Sequence, residues 1–294
     1  MSKPARPAGS PPSAAPAVFI VGPGRAGASL ALALRRRRRR VTLLSRSNET
    51  VHRRAGKRAF PPVSPLADWR PPAGPALLFL AVPDDAIAGV AEGLAERFRS
   101  GPSGGWTAFH LSGVGNSRLL APLGREGVAV GSWHPLQTFA APDPSLWKGI
   151  PVILEGDPVA VAAGRELAER LGAEPVELPA DSRALYHCLS TISCAHVAAQ
   201  LLLCHRALPA FPEPARQVLW EGWRRLAIRT LAQLDARAPW STVTGPAARE
   251  DRKTVELHRA ALARDLPEWR EIYSLIHEFL ERTPGTGPPG DPPH

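Results

Sequence analysis

The chain predicts an α/β fold in which a doubly wound parallel sheet is followed by an all-helical C-terminal domain. Three observations predict it. From Ala17 to about Pro179, short apolar runs alternate with helical patterns, the signature of parallel strands joined by crossover helices. A Gly22-x-Gly24-x-x-Gly27 motif stands between the first apolar run and the first helical pattern. After Asp181 no strand signal remains, and long helical patterns take over.

In chain order, the predicted strands are Val18 to Val21, Val41 to Leu44, Ala76 to Val82, Thr107 to Leu111, Val128 to Gly131, Pro151 to Leu154 and Pro175 to Leu178. Helices are expected near Arg25 to Leu34, Asp84 to Phe98, Asn116 to Leu123 and Pro158 to Leu171. Phe60 to Pro75 is heavy in proline and reads as an irregular connection. The later helices are Ser182 to Leu208, Pro214 to Asp235, Arg252 to Ala263 and Pro267 to Arg282. The first of these is apolar nearly all round, so it is expected to be buried on several sides, as a central helix shared with a second subunit would be. The resulting organisation is a tail over 1–16, a dinucleotide-binding domain over 17–179, a helical substrate and dimerisation domain over 180–283, and a tail over 284–294. Both tails are Pro-rich and read as disordered.

At 294 residues the chain can bury a sizeable core. The formal charge of +9 is local, because Arg35 to Arg40 supply six positive charges in one run and leave only +3 for the rest. That run follows the first helical pattern and suits a helix C-terminus and a solvated loop. No aromatic residue interleaves it and no recognition motif accompanies it, which argues against nucleic acid as a partner. Cys188, Cys194 and Cys204 share one apolar segment without metal-ligand spacing, so reduced, buried thiols in a cytoplasmic protein are expected, with no metal site. The N-terminus lacks the apolar core of a signal peptide. No stretch reads as approaching the roughly 18 to 20 apolar residues that cross a bilayer.

The glycine motif points to a dinucleotide. Gly22 permits the tight turn off the strand, Gly24 lets a pyrophosphate approach the backbone, and Gly27 lets helix and strand pack closely. The phosphates would sit on amides around Gly22, Gly24, Arg25, Ala26 and Gly27, where the helix dipole favours negative charge. A Rossmann fold that prefers NAD places an acidic residue about 20 residues further on. This chain instead reads Ser45-Arg46-Ser47, with Arg46 lying 24 residues beyond Gly22. A guanidinium matches a 2′-phosphate, so NADP is favoured over NAD as cofactor. Val82 and Pro83, at the end of a strand, are placed to wall the cofactor, while Asp84 or Asp85 reads as a helix cap.

Two segments place proton-exchanging groups directly after apolar strands: His110-Leu111-Ser112-Gly113 and Ser132-Trp133-His134-Pro135-Leu136-Gln137-Thr138. Histidine titrates near neutrality, so His134 is the candidate acid/base, with Ser112 or Gln137 orienting a small-molecule substrate. His110 reads as a strand-end cap bonded to backbone. Ser241 to Asp251 is a loop rich in hydroxyls and charge, in which Arg249 is a candidate for a substrate carboxylate and Asp251 a candidate N-cap with Thr254 three residues later.

Together these motifs resemble the Rossmann-like proteins that carry a DUF 2520 domain. The resemblance rests on Gly22 to Gly27, Phe79 to Asp85, His110 to Gly113, His134 to Phe139, Tyr186-His187, Thr244-Gly245-Pro246, Arg249, Asp251, Thr254, Val255 and His258. It spans about 17 to 263. The resemblance implies a nucleotide-binding domain plus a helical domain that makes a homodimer, as in pyrroline-5-carboxylate reductase. A more distant similarity to prephenate dehydrogenases matches Ser112 and His134, 22 residues apart, and implies that the histidine handles the proton of an oxidised hydroxyl. Two departures stand out: the family tends to carry an Asn near Ala195, and its loop usually reads Arg-Gly-Asp where this chain has Arg249-Glu250-Asp251.

The sequence reading is therefore an NADP-dependent oxidoreductase acting on a small, anionic metabolite, with a non-catalytic dinucleotide-binding dimer, a sensor or scaffold, as the alternative.

Overall fold

The computed structural model describes residues 15–47, 60–101, 103–234, 237 and 244–282. Both expected tails fall almost wholly outside the described residues, as do Asp235 and residues 241–243 of the hydroxyl-rich loop. Eight strands form one sheet: β1 (Ala17–Val21), β2 (Val41–Ser45), β3 (Val63–Pro65), β4 (Ala76–Leu80), β5 (Trp106–His110), β6 (Ala129–Pro135), β7 (Pro151–Gly156) and β8 (Glu174–Glu177). Their spatial order is β3-β2-β1-β4-β5-β6-β7-β8. The order reverses direction between β1 and β4, which opens a crevice at the carboxyl ends of those strands.

Three features differ from expectation. The proline-rich connection contains β3, a three-residue edge strand that pairs only with β2 and ends on Pro65, where a missing N–H is tolerated. β6 continues through His134 and Pro135 because it pairs with β7 along that length, His134 opposite Ile153. That pair is antiparallel, whereas the other ladders are parallel.

Helices α1 (Arg25–Arg36), α2 (Ile87–Arg99), α3 (Ala121–Arg125) and α4 (Pro158–Leu171) cover the sheet. Apolar clusters fill both of its faces. One joins Ile20, Leu30, Phe79, Phe109, Trp133 and Leu167, the other Leu78, Leu94, Phe98, Trp106 and Val130. Helices therefore pack on both sides, as double winding requires. α2 and α3 begin as short 3-10 turns, Asp84–Ala86 and Ser117–Leu120.

The arginine run is built into this frame. α1 ends on Arg35 and Arg36, which suit the negative end of its dipole. Arg35 donates to the Phe60 carbonyl at 2.8 Å, Arg37 to Leu171 at 3.3 Å and Arg39 to Pro16 at 2.8 Å. Leu171 ends α4, so Arg37 satisfies one of that helix's orphan carbonyls.

The chain divides into two compact units that meet at Thr191/Ile192. α5 (Arg183–Thr191) closes the first. The second holds a π-helical turn, Ile192–His196, then α6 (Val197–Ala207), α7 (Glu213–Ala232), α8 (Arg252–Asp265) and α9 (Arg270–Glu281). The single chain does not itself cover the long helix, and one expectation about that helix is corrected. Leu189, Ile192 and Leu202 are exposed within the chain, as are Cys188 and Cys194, with Cys204 intermediate, although all three thiols are free. Ala180–Ala210 also forms a 31-residue helical run long and apolar enough, by length and composition only, to cross a membrane. His187, Thr191 and His196 interrupt its apolar residues, which is why no unbroken stretch stands out in the sequence.

Candidate functional site

β1 delivers the chain into Gly22, whose φ of 95° is the left-handed conformation that glycine adopts without strain. A Cβ at Gly22 would meet the Ala81 carbonyl oxygen at 2.4 Å, and one at Gly27 would meet the Gly22 carbonyl oxygen at 2.2 Å. These two glycines therefore seat α1 against the sheet. Gly24 differs, since a Cβ there would project into space empty to 4 Å. It is the N-cap of α1, whose first turn has neither a side-chain cap nor an acidic residue. The first amides of α1 consequently lack acceptors from within the helix.

These amides adjoin a cleft of about 590 Å³ lined by Val21, Gly22, Pro23, Gly24, Ser45, Arg46, Ser47, Ala81, Val82 and Pro83. Seven of the ten residues expected to hold a cofactor line it. Arg25 is exposed and Ala26 half-buried at the start of α1, while Gly27 lies buried beneath. Ser45 is buried, and its hydroxyl accepts from Ser47 N–H at 3.2 Å. Arg46 is exposed and is the one charged side chain among the described lining residues. An open helix N-terminus and one guanidinium fit an anionic dinucleotide: the amides near Gly24 and the Arg46 fork could hold its phosphates. Among the described residues, no group of three or more His, Cys, Asp or Glu could hold a metal ion.

A second constellation is tied to the cleft through Asp84, the residue after Pro83. Neither Asp84 nor Asp85 caps a helix: the 3-10 turn is preceded by Pro83 and no side-chain cap is made. The Asp84 carboxylate instead accepts the Ser112 hydroxyl proton at 2.7 Å, and Ser112 Oγ accepts from Gly115 N–H at 2.9 Å. Ser112 is buried. Its only hydrogen is spent, so the serine expected to orient substrate is committed to fixing the turn after β5.

His110, fully buried, accepts from Ser112 N–H on Nδ1 at 3.2 Å and donates from Nε2 to the Asn116 carbonyl at 2.9 Å. Burial lowers its pKa to about 4, against a raising effect of the Asn116 bond. Both ring nitrogens are occupied by backbone.

His134 is placed differently. It stands on β6, and its Nδ1 shares a 2.8 Å hydrogen bond with the Tyr186 hydroxyl of α5. Arg183, Tyr186 and His187 fall at i, i+3 and i+4, so one face of α5 carries all three. Arg183 Nη2 donates to the Ser112 carbonyl at 2.8 Å. The His134 and His187 rings lie 6.1 Å apart, and a Cβ at Gly113 would come within 2.9 Å of Nε2 on each. Gly113 is therefore where the two imidazoles converge. Burial first, then the nearby Arg183, His187 and His110, lower the His134 pKa to about 3, while burial raises that of Tyr186. His134 is thus a neutral imidazole at neutral pH, and its surroundings oppose its protonation.

Gln137 lies half-buried beyond β6, with its side-chain oxygen accepting from Thr138 N–H at 2.8 Å. Arg249 is exposed and belongs to the second compact unit. There Asp251 caps α8 by accepting from Thr254 N–H at 3.1 Å and from the Thr254 hydroxyl at 2.7 Å. Arg183 was missed by the sequence reading, because an arginine beginning a helix looks like a solvated cation.

Residues 1–135 match the Rossmann-like domain family, and residues 150–278 match a domain of unknown function, DUF2520. No curated protein matches the chain. Among solved structures, a candidate NADP oxidoreductase from Bacteroides fragilis shares 22% identity, covers 91% of this chain and 98% of its own, and superposes with a TM-score of 0.72. A protein from Thermotoga maritima shares 21% identity over 90% of this chain and 97% of its own, with a TM-score of 0.66. Prephenate dehydrogenase from Aquifex aeolicus, in complex with hydroxyphenyl propionate and NAD+, shares 16% identity over 91% and 97%, with a TM-score of 0.52. At these identities the likeness is one of fold.

Proposed function

Because this chain joins a Rossmann-like domain to a DUF2520 domain, we propose that it is an NADP-dependent oxidoreductase acting on a small, anionic metabolite. The carrying observation is the cleft at the β1–β4 switch point, where uncapped α1 amides and Arg46 face space that a side chain at Gly24 would invade. Gly22, Gly24, Arg25 and Ala26 would hold the diphosphate, Ser45, Arg46 and Ser47 the ribose phosphate, and Val82 and Pro83 would wall the base or nicotinamide. The nicotinamide supplies two-electron hydride exchange when bound. His134 takes the proton of the substrate hydroxyl in oxidation and returns it in reduction. With Nδ1–H donating to the Tyr186 hydroxyl oxygen, the acceptor nitrogen is Nε2, which takes that proton. Ser112 serves by bracing Asp84 and Gly115. The likeness to a candidate NADP oxidoreductase and an NAD+-bound dehydrogenase supports this class of cofactor.

The apolar faces of the helical unit suit a second copy of the chain, so the working form is proposed to be a homodimer.

Fluorescence titration with NADPH and NADH tests the cofactor reading. NADPH should bind wild type more tightly than NADH, and Arg46→Asp should remove that preference, a change of roughly ten-fold or more for a charge-assisted contact. Gly24→Ala should weaken both while leaving the melting temperature unchanged. Equal affinity of wild type for the two coenzymes overturns the NADP assignment, and failure of either to bind at millimolar concentration overturns the whole reading. Binding with no turnover of any hydroxy or oxo acid would favour the sensor or scaffold.

A further inference from the structure

Arg183 is 0% exposed. Its Nη2 reaches the Ser112 carbonyl, but Nε and Nη1 find no acceptor. The carboxylates nearby are already used. Glu155 accepts from Ser117 N–H and from the Ser117 hydroxyl, both at 2.7 Å, and Asp84 accepts from Ser112. A second orphan lies in the same neighbourhood: Ser132 Oγ is buried without a partner, on a residue paired in register with His110 on one side and Glu155 on the other. Ser132 stands two positions before His134, so both share one face of β6. Leaving a buried guanidinium half-bonded is costly, and Arg183 leaves two of its nitrogens so beside the orphan Ser132 Oγ.

We propose that Arg183 is the anion receptor of the His134 site, so that the compound handled there carries a carboxylate, which accepts from Nε and Nη1 with Ser132 as a further donor. The inference rests on His134 being the proton-accepting group. Glu155 already sets one negative charge near the guanidinium, so a ligand carrying a single charge is opposed less than a phosphate dianion would be. Because the guanidinium has no exposed surface, the packing of α5 against Ser112 and Gly113 must open to admit the ligand.

Occupancy would alter His134. The groups facing it are Arg183, Tyr186 and His187 from α5 and His110 from β5. Arg183 is one cause of its lowered proton affinity, and a carboxylate on Arg183 cancels that positive charge. Binding of the anion therefore makes His134 a better base.

The experiment uses the full chain with 15N-labelled histidine and two probes, propionate and its uncharged analogue propionamide. Propionate should raise both the His134 titration midpoint and the melting temperature, whereas propionamide should change neither. Arg183→Met should raise the midpoint without any probe and weaken propionate binding by roughly ten-fold or more. Propionamide matching propionate, or undiminished propionate binding by Arg183→Met, overturns the proposal. If that variant fails to fold, Arg183→Lys is measured instead: weaker propionate binding with unchanged NADPH affinity supports the proposal, and equal propionate binding overturns it. NADPH titrated in parallel separates the two readings. A propionate response without NADPH binding leaves the receptor standing and removes the oxidoreductase, and NADPH binding without a propionate response does the reverse.

Discussion

Up to Thr191 the chain buries Arg183, His110, Ser112 and Ser132 as well as Trp106, Trp133 and Trp147, whereas from Ile192 on, leucines, isoleucines and Phe279 are exposed within the chain. Among the described residues of the second unit, the buried apolar side chains are only Leu208, Ala247 and Val255. On α9, Ile272, Leu275, Ile276 and Phe279 are all at least 40% exposed, at the i, i+3, i+4, i+7 spacing of an apolar stripe. The first unit satisfies its own core and can therefore spend burial on polar groups. The second displays the kind of face that other proteins cover. The proposed chemistry falls where the fold is complete in itself, and the proposed association where it is not.

Acid should break that contrast most strongly. His110 and His134 hold pKa values of about 4 and about 3, against 6.5 when unburied. Above pH 6.5 both states are neutral and nothing is lost. As pH falls below 6.5 the unfolded chain takes up protons that the folded sheet refuses, so stability falls until about pH 4 for His110 and about pH 3 for His134. Each histidine costs about 1.4 kcal/mol per pH unit within its window. Urea unfolding at pH 7 and pH 5 should show a loss that His134→Gln reduces, and hydrogen exchange should place the lost protection before Ile192. Acid loosening that starts in the helical unit would contradict the comparison.

A charge on the exposed stripe is the next test. Wild type should sediment as a dimer, and Leu275→Lys should shift it to monomer, since a buried leucine contributes about 1.5–3 kcal/mol. The cleft lined by Gly22, Gly24 and Arg46, built wholly in the first unit, should bind NADPH as before. A wild-type chain that stays monomeric and stable at micromolar concentration would mean that the helical unit needs no cover.

How much of this was legible in the sequence follows the same division. The alternation of apolar runs located the sheet because burial on both faces leaves a contiguous signal. β3 escaped because Val63-Ser64-Pro65 is too short for a pattern, and the end of β6 escaped because Ser132 and His134 alternate with the buried Trp133. Gly22 and Gly27 were readable since each meets a local backbone demand, and Gly24 by its place in the motif, where a Cβ would meet no protein atom. The bonds from α5 to His134 and Ser112 span 52 and 71 residues, and no local pattern encodes them. The apolar long helix was recognised as needing burial, but one chain does not provide it.

The smallest effect belongs to a single backbone position in the helical unit. Glu250 sits at φ 53°, the left-handed region, in the turn that leads to the Asp251 cap of α8. An L-residue there is strained by about 1–2 kcal/mol relative to the right-handed region, and glycine is not. Glycine also gives the unfolded chain more freedom, which offsets part of the gain. Glu250→Gly should therefore raise stability by about 1 kcal/mol or less, readable as a small increase in melting temperature, with dimerisation and NADPH affinity unchanged. The 3.1 Å bond from Thr254 N–H to Asp251 fixes the helix start independently of this residue. A destabilising result would mean that the Glu250 side chain contributes more than its backbone costs, and the turn would then be held by contacts beyond the chain itself, as the exposed stripe of α9 is proposed to be.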